Sequence, residues 1–557
     1  MPATTHSAPQ HQPVEIRFRS TVDYPEPFRD AQLDVVFSAP GGTVRRVPAF
    51  WAGGNDWRVR FSAVETGVHR FQTQCSDPGN AGLHGQTGEV HVGPAEGDNP
   101  LHRHGGLRIA ADRRHFCHAD GTPFFWLGDT WWMGLCGRLS WPEEFQALAE
   151  NRKALGFNVI QLVAGLYPDM PLFDPRGRSA SGFCWDTGLR QVNPAFFDEA
   201  DRRIFHLVGL GLTPCILGAW GYYLPMIGLD NMQRHWRHLM ARWGALPVVW
   251  AAAGEQTLPW YLEGPEQKVA SSMAQQRDWS LVIAHMRSLN AFDRPISTHP
   301  FASARESVSD PALIDFEMQQ TGHGQPTPHH ARRAWQGWNG SPVMPVISAE
   351  SRYEGLEVQP LVTARDAREA FWAHTLASGV AGHTYGANGV WQVNTPDQPF
   401  GPSPSGFCWG NTPWQQAMAL PGARHLAGAR AFLETLPWPS MAPLPVREGW
   451  LERVSQARPR LRRVLHRLGW RETPTAPVAV AVAREHRVAL AYTVTERPFD
   501  LALDLPGVAW TARWVDPTSF EAHPAGQWRP GSALRFRPDR RNAAGDGDWL
   551  LLLESDR

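Results

Sequence analysis

Val343-Met344-Pro345-Val346-Ile347-Ser348-Ala349-Glu350-Ser351-Arg352-Tyr353-Glu354 is an apolar run, rich in β-branched residues, that stops abruptly at a carboxylate. A short continuous apolar run marks a strand buried on both faces, as in a parallel sheet. Ligands of such sheets sit beyond the carboxyl ends of the strands, so Glu350 stands where chemistry is expected. Pro247-Val248-Val249-Trp250-Ala251-Ala252-Ala253-Gly254-Glu255 repeats the design and also ends in a glutamate. Two strands of one barrel thus carry a carboxylate pair.

Working outward, residues from about 100 to 437 alternate strand and helix. Phe124 to Asp129 reads as the first strand, followed by a helix with Pro142 in its first turn, apolar spacing through Phe145, Leu148 and Leu155, and an end at Gly156. Asn158–Val163, Pro214–Trp220 and the Glu255 segment supply strands two to four, with helices predicted over 194–210 and 230–243. Pro295–Pro300, Leu313–Met318, the Glu350 segment and Gly379–Gly386 supply five to eight, with helices over 270–290 and 362–377. Eight such alternations predict a (β/α)8 barrel. A doubly wound sheet is the alternative, weakened because no Gly-rich phosphate loop follows strand one.

The flanks read differently. Residues 1–13 are polar and contain proline, which predicts a disordered tail. Over 14–98 the segments are short and alternating, as in Val14-Glu15-Ile16-Arg17-Phe18-Arg19, and predict a small antiparallel β-sandwich. The stretch 438–557 returns to strands, among them Val478–Val482, Val488–Tyr492, Leu501–Leu505 and Trp549–Leu553, and predicts a second β-domain. Before them lies an arginine-rich stretch, 446–471, read as two short helices split at Pro459 with a solvated basic face.

Composition narrows the function classes. The 557 residues carry a net charge of -1, which gives no electrostatic footprint for nucleic acid. The N-terminus has no apolar signal region, and the longest apolar runs fall short of the roughly 18 residues of a membrane helix, so a cytoplasmic chain without a membrane partner is expected. Six cysteines without CxxC spacing argue against a disulfide scaffold or structural zinc. Neither a metal nor an organic cofactor is expected. Tryptophan reaches 26 against 8 tyrosines, an excess that serves both core packing and stacking on sugar rings.

Paired carboxylates on separate strand mouths are what cleavage of a glycosidic bond requires: one protonates the departing oxygen, and the other attacks the anomeric carbon or activates water. Around them, Asp129 at strand one is a candidate for sugar hydroxyls, with Trp131 and Trp132 as a stacking wall. Gln161, Trp220 and Tyr222 are weaker candidates from strands two and three. Tyr353 follows Glu350 in the same segment, and Arg352 is placed either to keep Glu350 ionised or to pair with Glu354. His383, Tyr385 and Trp391 close the list from strand eight. His299 and His323 read as satisfied loop histidines, since no HExxH or tight His/Asp cluster is present.

Phe125-Trp126-Leu127-Gly128-Asp129-Thr130-Trp131-Trp132, the strand ending at Glu255, the Pro345–Glu354 segment and Gly382-His383-Thr384-Tyr385-Gly386-Ala387-Asn388-Gly389-Val390-Trp391 together resemble the apiosidase-like family of glycoside hydrolases. The resemblance implies a hydrolase acting on an oligosaccharide or other glycoside, with the acid/base at Glu255 and the nucleophile at Glu350, hence a retaining, exo-acting enzyme. It also implies flanking β-domains, the C-terminal one similar to a module named for collagen binding, without collagen being expected as a partner. The chain departs from the family pattern where Ala253-Gly254-Glu255 stands in place of two glycines and an aspartate. An inverting enzyme on the same fold and a non-catalytic carbohydrate-binding protein are the alternatives.

Overall fold

The structure, a computed structural model, describes residues 4–357, 360–446, 477–494, 496–501, 503, 509–529 and 534–555. Its centre is a sheet of eight parallel strands in the spatial order five, four, three, two, one, eight, seven, six. The strands, in chain order, are Trp126–Thr130, Val159–Val163, Thr213–Leu217, Val249–Ala251, Ile296–Ser297, Glu317–Gln320, Val346–Glu350 and Gly382–Tyr385. Nearly every side chain on them is buried, which is why they read as continuous apolar runs. Strands five and six close the ring without a regular ladder: Asp315 N donates to Ile296 O at 2.8 Å, and Ser297 Oγ to Phe316 O at 2.7 Å. This is a (β/α)8 barrel.

The helices follow their signals. Glu143–Leu155 begins after Pro142, and Pro194–Gly209 is capped by Asn193, whose side chain accepts from Ala195 N. Leu229–Trp243 buries Trp236, Leu239 and Trp243 on one face. Pro265–Leu289 starts earlier than its apolar spacing predicts because Pro265 occupies its first turn. Ala364–Ala377 carries a capping box from Thr363 and Asp366.

Several expectations change. The tail over 1–13 contains a strand, Thr4–Pro9, paired in parallel with Thr87–Gly93. Its backbone groups gain ladder partners despite a polar sequence, and the N-terminal module is therefore not purely antiparallel. That module is a five-stranded sheet facing a three-stranded one, with Leu33, Val35, Phe37, Val59, Phe61 and Val90 in its core. A hairpin that the strand–helix rhythm did not reveal, Leu107–Ile109 with Phe116–His118, precedes the first barrel strand and sets Phe116 against Trp126 and Phe316. Strand six begins at Glu317; the preceding Pro311–Leu313 is a 3₁₀ turn.

At the C-terminal end a six-stranded antiparallel sheet packs on helix Ala364–Ala377. Arg368 of that helix pairs with Asp548 at 2.7 Å and Asp546 at 2.8 Å. Phe499–Leu501 pairs with Leu534–Phe536 where the strand 501–505 was expected. Of the arginine-rich stretch only Val446 lies within the described residues, and most of 501–505 also lies outside them. No helix among the described residues is long and apolar enough to cross a membrane.

Candidate active site

Glu350 is the last residue of strand seven, and Glu255 follows strand four. Glu255 adopts a left-handed backbone, φ +40°, rare for a residue with a side chain and characteristic of strained functional positions. The turn before it depends on close packing: a methyl group on Gly254 would stand 2.2 Å from the Trp220 ring. With Gly254 in place, Trp220 crosses the turn and its Nε1–H donates to Glu255 Oε2 at 3.2 Å.

The link between the two acids is Gln320. The ladder between strands six and seven shifts register between Gln319 and Gln320, with Ala349 of strand seven as the extra residue, and this sets Gln320 opposite Glu350. A bulge next to a site re-aims a side chain. The Gln320 Nε2 donates to Glu255 Oε1 at 2.8 Å and to Glu350 Oε1 at 3.0 Å. The two accepting oxygens therefore lie within about 6 Å of each other.

Glu350 has further donors. Tyr353 OH reaches its Oε2 at 2.9 Å. His323 Nε2 lies 3.2 Å from Oε1, while its Nδ1 donates to Ser351 O at 2.6 Å. With Nδ1–H committed to a carbonyl, Nε2 donates to Glu350 only from the imidazolium form. His299 Nε2 stands 3.6 Å from Oε2, close enough for charge but long for a hydrogen bond.

These environments drive the two acids apart. Burial, then repulsion by Glu350, pushes the Glu255 carboxyl up to about 8, against the opposing hydrogen bonds of Gln320 and Trp220. Burial would raise Glu350 as well, but the hydrogen bond and charge of His323, the charge of His299 and the Tyr353 hydroxyl outweigh it and hold Glu350 below the ordinary carboxylate value. At neutral pH one acid keeps its proton and the other is ionised, the division that acid–nucleophile chemistry needs.

Three loops meet over the pair. Asp169, after strand two, accepts from Tyr261 OH of the strand-four loop at 2.7 Å and from Trp409 Nε1 of the strand-eight loop at 3.0 Å. Tyr222 packs behind Trp260 and Tyr261, its hydroxyl 3.1 Å from both Tyr167 O and Met170 O. Trp391 lies edge-on to Trp409, its Nε1–H without a hydrogen-bond partner among the described residues.

The sequence-derived candidates divide accordingly. Glu255, Glu350, Trp220 and Tyr353 come together, and Trp132 joins them, edge-on to Trp220 at 5.4 Å and to His299 at 5.2 Å. Asp129 does not. It is wholly buried, bonded to Arg152 Nε at 2.6 Å and to Trp131 Nε1 at 2.7 Å, so Asp129 and Trp131 are core. Gln161 is also inside the barrel, donating to Ala349 O at 3.0 Å. Arg352 turns away from both Glu350 and Glu354, to Gln325 O and Asp366, because the helix after strand seven offers it a nearer carboxylate. Tyr385 OH donates to Glu354 Oε2 at 2.6 Å, and His383 lies beneath the site with Nε2 3.1 Å from Ser351 Oγ. His299 and His323 are not idle loop histidines: both face Glu350. Neither they nor Gln320 was assigned to the site: Gln320 ends strand six and the histidines follow strands five and six, but none is an acid closing an apolar run, the signal that singled out the glutamates.

The model of the apiosidase-like catalytic domain matches residues 110–440, and a domain of unknown function, DUF5060, matches residues 7–76. No curated protein matches the chain. Among solved structures, one named only as a glycoside hydrolase is 19% identical with a TM-score of 0.64, covering 83% of this chain and 99% of its own. A glycoside hydrolase family 5 protein from Bacteroides vulgatus ATCC 8482 is 19% identical with a TM-score of 0.64, covering 82% and 94%. A second protein from that strain, provisionally described as a glycoside hydrolase, is 17% identical with a TM-score of 0.65, covering 99% and 100%. At these identities the structures show a shared fold; the family match carries the chemistry. The chain belongs to the apiosidase-like family and is a glycoside hydrolase.

Proposed function

We propose that the protein is an exo-acting, retaining glycosidase in which Glu350 is the nucleophile and Glu255 the acid/base. The observation that supports this reading is the shared Gln320 amide, with its bonds of 2.8 and 3.0 Å to the two acids. A carboxyl separation of about 5–5.5 Å belongs to retaining enzymes, whereas about 6.5–9.5 Å leaves room for the water of an inverting one. In the first step Glu350 attacks the anomeric carbon while Glu255 gives its proton to the departing oxygen. In the second, Glu255 takes a proton from water, whose oxygen displaces Glu350 from the sugar. Trp220 and Gln320 hold Glu255 in place, and Tyr353 and His323 spread the charge of Glu350. The roof over Asp169, joined from three loops, favours a pocket that accepts the end of a chain rather than its middle.

The test is the first-formed product of an oligosaccharide or aryl glycoside that the enzyme cleaves, followed by proton NMR. Release of single sugars with the anomeric configuration of the substrate is expected. Inverted configuration, or internal fragments as the first products, would overturn the proposal.

A further inference from the structure

A cavity of about 280 Å³ lies between the N-terminal module and the amino-terminal end of the barrel, away from the two glutamates. Its walls come from both: Phe37, Arg45 and Phe61 from the module, Gly106 and Arg108 from the hairpin, and Arg294 from the approach to strand five. Its volume falls near the lower end of the roughly 300–1,000 Å³ of small-molecule sites.

The charge in this cavity is unbalanced. Arg294 is 6% exposed, and its Nε and Nη2 donate to the backbone oxygens of Gly244 and Ala245 at 3.1 and 3.2 Å. Its Nη1 has no hydrogen-bond partner among the described residues, and it lies against Gly106, where a methyl group would stand 2.0 Å away. Arg108 Nη1 donates to Asp293 O at 2.7 Å, and Arg45 to Ala291 O and to the Asp293 carboxylate. The Asp293 side chain is 63% exposed, so water competes for it. The carboxylate that lines the wall itself, Glu65, accepts from Gly41 N. His11 and His69 add imidazoles to the wall. Burial, then Arg108 and with it Arg45, lowers the buried Arg294 guanidinium to about 9, and Asp293 offsets only part of that.

We propose that this cavity is a binding site for a small oxyanion-bearing solute, the phosphate, sulfate or carboxylate of which is held by Arg294, Arg108 and Arg45. Guanidinium forks match these groups in geometry, and a partly buried site strengthens the attraction that water would screen. The stacked Phe37 and Phe61 rings, 3.9 Å apart, and Phe292 give the cavity an apolar side that suits the ring of an acidic sugar. A ligand here bridges the module and the barrel, and its binding free energy adds to the stability of the folded chain.

The experiment uses the full chain. Titration calorimetry and thermal unfolding are followed with inorganic sulfate, inorganic phosphate and glucuronate, against sodium chloride of equal ionic strength and neutral glucose. At least one oxyanion is expected to bind saturably and to raise the unfolding midpoint where chloride and glucose do not. Tighter binding of glucuronate than of the inorganic ions identifies an acidic saccharide as the ligand class; the reverse order identifies a free inorganic oxyanion. Arg108→Gln and Arg45→Gln are each expected to weaken binding at least tenfold. The comparison rests on the ligand-dependent rise in midpoint, so a lower baseline in either variant does not obscure it. A rise no larger than that with chloride, or one unchanged in both variants, overturns the proposal.

Discussion

Gln320 ties the two glutamates together, and replacing it separates distance from charge. Gln320→Met is expected to lower kcat/KM by about 10²-fold, the order of loss that follows misplacement of reacting groups by about 1 Å. It also removes a donor that favours ionised Glu255, so the alkaline limb of kcat/KM, expected near pH 8, should move upward. An unmoved limb would contradict the shared-amide account. Glu350→Gln should cost on the order of 10⁴-fold in kcat. With the repelling charge gone, the Glu255 titration read by carboxyl ¹³C shifts should fall below about 8. Asp129→Asn is expected to act on folding instead: breaking its buried pair with Arg152 should cost about 3–5 kcal/mol in chemical denaturation. The sequence singled out Glu255 and Glu350, which the fold brings together, because an acid ending an apolar run is visible in one dimension. It misassigned Asp129, which ends an equally good strand, because Arg152 meets it only through the packing of the following helix. The amide of Gln320 and the imidazole of His323 carry no such contrast with their neighbours.

At the scale of elements, the fit between Gly254 and the Trp220 ring sets how the strand-four loop delivers Glu255. Gly254→Ala should displace Trp220, cost about 1–3 kcal/mol of stability by overpacking, and lower kcat. An enzyme with wild-type kcat after this change would show that the Trp220–Glu255 bond is dispensable. Helix periodicity and proline placement made the helices legible, as at Pro194 and Gly156. The bulge at Ala349, which brings Gln320 opposite Glu350, was not legible, because one extra residue in a strand leaves no mark in the apolar pattern. The strand Thr4–Pro9 was hidden for a related reason: its stability comes from the ladder to Thr87–Gly93, a partner distant in sequence.

At the scale of the whole molecule, buried charges join the modules. Asp201 of the barrel meets Arg60 of the N-terminal module at 2.5 Å and Arg242 at 3.0 Å, and accepts from Trp243 Nε1 at 2.7 Å. Burial works against its ionisation, but Arg242 and Arg60 prevail and hold it down at about 2. A depressed carboxylate stabilises the fold above its unfolded value, near 3.9, and loses that contribution as pH falls through the window to about 2. Asp201→Asn should therefore flatten the acid limb of the stability profile, measured as the unfolding midpoint against pH. An acid limb of unchanged steepness would place the sensitivity elsewhere. Alternating segments and turn residues disclosed the flanking β-modules, whereas these joints were invisible because arginines and aspartates far apart in sequence give no local signal.

The most direct test of the central claim is to trap the enzyme with a 2-deoxy-2-fluoro glycoside bearing an activated leaving group, matched to a sugar that it hydrolyses, and to map the labelled peptide by mass spectrometry. The account predicts one equivalent of sugar esterified to Glu350, formed on the timescale of inactivation and released by turnover. A label on another residue would contradict the assignment of Glu350, and complete hydrolysis of the reagent with no adduct at any time would contradict the covalent route.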